Sequence, residues 1–136
     1  MGQRTPGRSS LLTGVALGAA SGVAIEIGIG AASHRREAWD SGLYWSMGLP
    51  LMLLAALVCG FVARRRAAVT GYSPFAGGLA AMVVKTGTGS MLPLGVIFMA
   101  VVGLSGVAAA FVGGMAGRWM LGVAEQGGRG TRSGPG

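Results

Sequence analysis

The sequence predicts an all-α membrane protein, a four-helix transmembrane bundle built as two tandem helical hairpins. Three observations lead there. Hydrophobic residues make up 51% of a 136-residue chain, with a mean hydropathy of +0.61, and a chain this short has too small an interior to hide that much apolar surface from water. Charged residues are only 11%, against about 25% in ordinary soluble domains. The 27 glycines follow no G-X-Y period, which excludes collagen. Gly- and Ala-rich apolar runs suit transmembrane helices, where close contact replaces the hydrophobic drive between helices.

Residues 1–10 are polar and basic, with Arg4, Pro6, Gly7 and Arg8, and read as a cytoplasmic tail. Residues 11–32 are the first span, meeting the roughly 20 residues a bilayer core requires. A cleaved secretory signal is the competing reading, with Ala19-Ala20-Ser21 or Ala31-Ala32-Ser33 as its cleavage site. Against it, the apolar run exceeds the roughly 7–15 residues of a signal, and Glu26 lies inside it.

Residues 33–42 form a polar loop that contains His34 and Trp39. The second span, 43–63, opens with Tyr44 and Trp45 and ends at Arg64, Arg65 and Arg66. Aromatic side chains at such a position suit the membrane–water interface, and Trp39, Tyr44, Trp45 and Trp119 are read as interface anchors. Pro50 falls near the first turn, where its missing N–H costs little.

The third span, 70–90, is the weakest, since Tyr72, Ser73 and Pro74 interrupt it and Lys85 lies near its end. If it stops at Val84 it is short enough to be re-entrant or interfacial. The fourth, 94–117, is strongly apolar and ends at Arg118 and Trp119. The spans make one transmembrane domain, 11–120, and residues 121–136 read as a Gly-rich flexible cytoplasmic tail. Ser46 to Leu51 and Ser90 to Leu94 share a Ser-Met…Leu-Pro-Leu pattern, compatible with parallel hairpin repeats.

Four spans place eight Lys/Arg on one side and three on the other, so the positive-inside rule puts both termini in the cytoplasm. The net charge of +7 therefore reads as topology signalling, Arg64 to Arg66 above all, and not as nucleic-acid binding. The bilayer is the expected partner.

Gly14, Gly18, Gly22, Glu26 and Gly30 recur at every fourth position, one face of a helix. Ser105, Ala109, Gly113 and Gly117 make a second such row. Both predict close helix contacts. Glu26 is an ionisable residue within a span, a functional-site candidate. Lys85 falls at a similar depth on a small-residue face, which suggests an interhelical Glu26–Lys85 pair.

Little else carries chemistry. The single Cys59 excludes an intramolecular disulfide. Lys85-Thr86-Gly87 lacks the other elements of the penicillin-binding pattern, and no phosphate loop or metal motif occurs. The expectation is no enzyme, no cofactor and no metal.

The segments Trp39-Asp40-Ser41-Gly42-Leu43-Tyr44-Trp45, Gly48-Leu49-Pro50-Leu51-Met52 and Gly87-Thr88-Gly89-Ser90-Met91-Leu92-Pro93-Leu94-Gly95 resemble a group of small uncharacterised bacterial inner-membrane proteins with four predicted helices. The resemblance covers about Trp39 to Trp119 and implies a bacterial inner membrane, with no activity to transfer. The expected function is a non-enzymatic multi-pass protein acting through helix packing, as an accessory subunit or homo-oligomer in a larger membrane complex. The alternative is a small oligomeric transporter or channel with Glu26 lining its path.

Overall fold

The computed structural model describes residues 6–34, 41–63, 66–87 and 92–130. The regular elements among them are all helical. Helix α1 is Pro6–Ser33, a π-helical turn covers Tyr44–Gly48, α2 is Leu49–Ala63, α3 is Ala67–Thr86 and α4 is Leu92–Gly130. Three stretches, Ser9–Ser33, Tyr44–Ala63 and Pro93–Val123, are long and apolar enough to cross a membrane, which fits a membrane protein.

Several bounds differ from the expected ones. α1 starts at Pro6, inside the expected tail, with proline at the helical position it favours. α4 continues to Gly130, so the first part of the expected flexible tail is helical. Its 39 residues rise about 58 Å at 1.5 Å each, well beyond a hydrocarbon core of about 30 Å. Gly87 ends α3 with φ +70° and ψ −168° and donates its N–H to the Val83 carbonyl, a positive-φ stop that glycine adopts without strain.

The helices run up, down, up, down. Gly14 meets Ala63 and Thr70, Gly18 meets Cys59 and Ser73, and Gly22 meets Pro74 and Gly78. Residue numbers on α1 and α3 rise together, so these helices are parallel, while α2 runs opposite to α1. Tyr44 reaches Met99 at one end and Gly60 meets Ala110 further along, so α2 and α4 are parallel too. Met82 covers Gly95 while Gly71 meets Gly106, which makes α3 and α4 antiparallel. α2 and α3 each touch all three other α-helices, whereas α1 and α4 do not touch among the described residues.

Of the four α-helices, α3 is the one without a stretch apolar enough to stand among those three stretches, and much of it is enclosed. Thr70, Gly71, Ser73, Pro74, Phe75, Gly77, Gly78 and Met82 are all buried. A helix enclosed by other helices answers to packing more than to lipid. Its proline is accommodated locally: Pro74 has no N–H for the Thr70 carbonyl, and the Ser73 hydroxyl donates to that carbonyl at 2.8 Å instead.

Glycine is required where backbone meets backbone. A Cβ on Gly22 would overlap the Pro74 carbonyl, one on Gly77 the Ala19 carbonyl, and one on Gly60 the Ala110 carbonyl. The α4 contact row differs from the expected one. Gly113 and Gly117 are buried, but Ser105 is exposed and Ala109 half-buried. Gly103, Gly106 and Ala110 are buried in their place, because helical contacts alternate between three- and four-residue steps and a strict four-residue row drifts off the seam. Pro50 and Pro93 each stand second in their helices, so the two similar segments do occupy matching positions.

Gly22→Ala should lower stability in detergent by about 1–3 kcal/mol, the usual range for overpacking, while Gly28→Ala, where a Cβ meets open space, should not lower it. Equilibrium unfolding of the two variants alongside wild type checks this.

Candidate functional site

The α1 row Gly14, Gly18, Gly22, Glu26 and Gly30 is buried along its length. Since the glycines on this row draw α1 against α3, the carboxyl that shares it is carried inward. Glu26 is 1% exposed, and its Oε2 is enclosed.

Close to it in the interior is Tyr44, whose ring meets Gly48 together with Ile29, one turn beyond Glu26 on α1. Tyr44 is completely buried, which corrects its reading as an interface anchor. The cause is the π-helical turn. The Leu49 N–H donates to the Tyr44 carbonyl, five residues back, so this turn is wider than an α-turn. Pro50, just after it, supplies no N–H to continue an ordinary ladder. Tyr44 and Gly48 both face inward, leaving Trp45, Ser46 and Met47 outside. The Tyr44 N–H is held by the Ser41 carbonyl at 3.1 Å and its hydroxyl at 3.2 Å. A Cβ on Gly48 would sit 3.1 Å from the tyrosine ring.

The Tyr44 hydroxyl points at two thioethers, Met52 Sδ at 3.6 Å on α2 and Met99 Sδ at 3.7 Å on α4. Both methionines are buried, and Ile29 and Phe75 belong to the same cluster. The result is a carboxyl, a phenol and two sulfurs enclosed in an otherwise apolar core. No group of three or more His, Cys, Asp or Glu that could hold a metal occurs among the described residues.

Lys85 is not part of this centre. It is exposed in the last turn of α3, so the structure does not form the expected buried pair with Glu26. The register that sets Gly22 beside Gly78 places Glu26 level with the helical turn before Lys85. A lysine stem is long enough to carry its ammonium outward from there, whereas a glutamate on the seam has nowhere to go. Trp45 and Trp119 are exposed, at 50% and 71%, as interface anchors would be, and Trp45 stacks edge-on with Phe98. Arg66, left-handed at φ 57°, starts α3 and accepts the N–H groups of Val69 and Thr70 on its carbonyl. Trp39, Arg64 and Arg65 lie outside the described residues.

An open apolar groove of about 330 Å³ runs between α1 and α2, lined by Leu17, Ser21, Ile25, Leu51, Leu54 and Val58 among others. Glu26 does not line it.

Sequence reasoning missed the Tyr44–Met52–Met99 constellation. One signal was present: Met52 follows Tyr44 by eight residues, close to two helical turns and so nearly the same face. Met99, 55 residues from Tyr44, left no local trace. No family model, curated protein or solved structure matches the chain.

Tyr44→Phe should cost no more than about 0.5–1.5 kcal/mol, the net worth of an ordinary hydrogen bond. Tyr44→Ala should cost about 3–5 kcal/mol, as truncation of a buried aromatic does. Equilibrium unfolding in detergent distinguishes ring packing from hydroxyl bonding as the dominant contribution.

Proposed function

We propose that this chain is a multi-pass integral membrane protein of a bacterial inner membrane, a four-helix transmembrane bundle with both termini in the cytoplasm. It acts through helix packing, without catalysis, as a small accessory subunit or a homo-oligomer. α3 is the fourth span: its 20 residues match the roughly 20 that a hydrocarbon core needs, and enclosure by its neighbours removes the demand for a fully apolar surface. The orientation rests on the eight-to-three Lys/Arg bias. The bacterial inner membrane rests on the resemblance of the Trp39–Trp119 region.

The observation that carries the packing role is the enclosure of Glu26. An ionisable side chain on a transport path faces water or a cavity. Here the carboxyl is 1% exposed beside a glycine seam, and the groove between α1 and α2 is lined by other residues. The outward faces of α1 and α4 remain available, with Leu12, Leu17 and Ile27 on one and Ile97, Val101, Leu104 and Phe111 on the other exposed.

Gentle crosslinking in native membranes should yield a homo-oligomer or a complex with a second membrane protein, and a strictly monomeric chain with no captured partner would contradict the proposal. In liposomes, wild type and Glu26→Gln should both show background flux across a panel of ions and small solutes. Flux abolished by Glu26→Gln would replace the packing role with a transport path.

A further inference from the structure

Of the described methionines, three are on the surface and three are in the core. Met47, Met115 and Met120 are 52–59% exposed, whereas Met52, Met82 and Met99 are 0–2% exposed and come one each from α2, α3 and α4. The buried three are contiguous. The Met52 methyl reaches Gly78 one turn before Met82, and the Met82 methyl covers Gly95 one turn before Met99. The Met52 and Met99 sulfurs both lie within 3.7 Å of a single atom, the Tyr44 hydroxyl oxygen.

Hydrogen bonding does not account for two sulfurs converging there, since a phenol has one proton to donate and a thioether is a weak acceptor. Thioethers are soft, neutral donors, and that softness selects Cu(I)-like ions over magnesium, calcium or manganese. Methionine is also unbranched with three rotatable bonds, so both sulfurs can turn onto one ion without backbone movement. A cation in such an interior needs a compensating charge, and the buried Glu26 stands on α1 between Gly22, which meets Gly78 beside the Met52 methyl, and Ile29, which meets Gly48 beside the Tyr44 ring. The π-helical turn that presents Tyr44 is a feature frequently found at functional sites.

We propose that Met52 and Met99, with Tyr44 and Glu26 beside them, form an intramembrane site for one soft monovalent cation, Cu(I) or Ag(I). The thioether pair is the ligand set, and the carboxyl provides charge balance. Cys59 stands apart from it, two turns further along α2 against Gly18 and Ser73.

The test uses the full chain in detergent with Cys59→Ser, which removes the competing thiol. Ag(I) is titrated calorimetrically, and Cu(I) is measured anaerobically against a chromogenic chelator. The expected result is one ion per chain. Met52→Leu/Met99→Leu should lower affinity by more than the roughly 10–100-fold that loss of an outer-shell partner costs, and Glu26→Gln should lower it by roughly that amount. Met47→Leu/Met115→Leu, at the surface, should bind as the parent does. Leucine conserves the volume of methionine well enough for the variants to fold, which circular dichroism and gel filtration check. X-ray absorption of the Cu(I)-loaded parent gives an answer that needs no core variant, with two sulfur neighbours expected. Equal affinity in the core and surface double variants, no binding above the detergent blank, or a spectrum without sulfur neighbours would each overturn the site.

Discussion

Close contact between α1 and α3, made where Gly18 meets Ser73, Gly22 meets Pro74 and Gly77 meets Ala19, is the constraint on which the other features rest. In lipid there is no hydrophobic drive to pull helices together, so helices associate by van der Waals packing and hydrogen bonding. Gly22 lies against the Pro74 carbonyl and Gly77 against the Ala19 carbonyl, so each helix supplies glycine where the other brings backbone. Two further features follow from this closeness. α3 is enclosed, which allows it Thr70, Tyr72, Ser73 and Pro74 in a run that would otherwise be poorly suited to lipid. Glu26, one turn beyond Gly22, is drawn into the interior with the row it belongs to.

The other side of the centre is set by the turn before α2. A π-turn and a proline in succession reorganise the backbone hydrogen bonds from Tyr44 to Pro50. The inward-facing positions become Tyr44 and Gly48, with glycine leaving room for the tyrosine ring. The phenol then reaches across to α4, where Met99 waits on a glycine-rich face. A local change in helical winding thus decides which side chain joins α2 to α4, and it packs that side chain with Ile29, one turn beyond the α1 carboxyl.

What could be read from residue spacing was what depends on spacing alone. The α1 row is a one-helix pattern, and its buried face is the one the four-residue repeat marks. The α4 row was misplaced by about one position because contacts there step by three as well as four, so Gly106 and Ala110 take the places given to Ser105 and Ala109. Tyr44 was misread for a different reason: an aromatic beside a tryptophan at the start of a span resembles an interface anchor, and only the i−5 hydrogen bond turns it inward. Lys85 shared a depth range with Glu26 but not a direction, and depth is all that topology supplies. The meeting of Met52 with Met99 is a tertiary event between distant segments, with no counterpart in local sequence.

The parallel pairing of α1 with α3 is the central claim, and spin-label distances test it most directly. With Cys59 replaced by serine, labels are placed on exposed positions at Thr13 on α1 and at either Val69 or Val84 on α3. Parallel packing predicts a short Thr13–Val69 distance, with Thr13–Val84 longer by most of the ~22 Å of helix rise between the two α3 sites. The reverse order, or two equal distances, would contradict the glycine seam and the enclosure of Glu26 that follows from it.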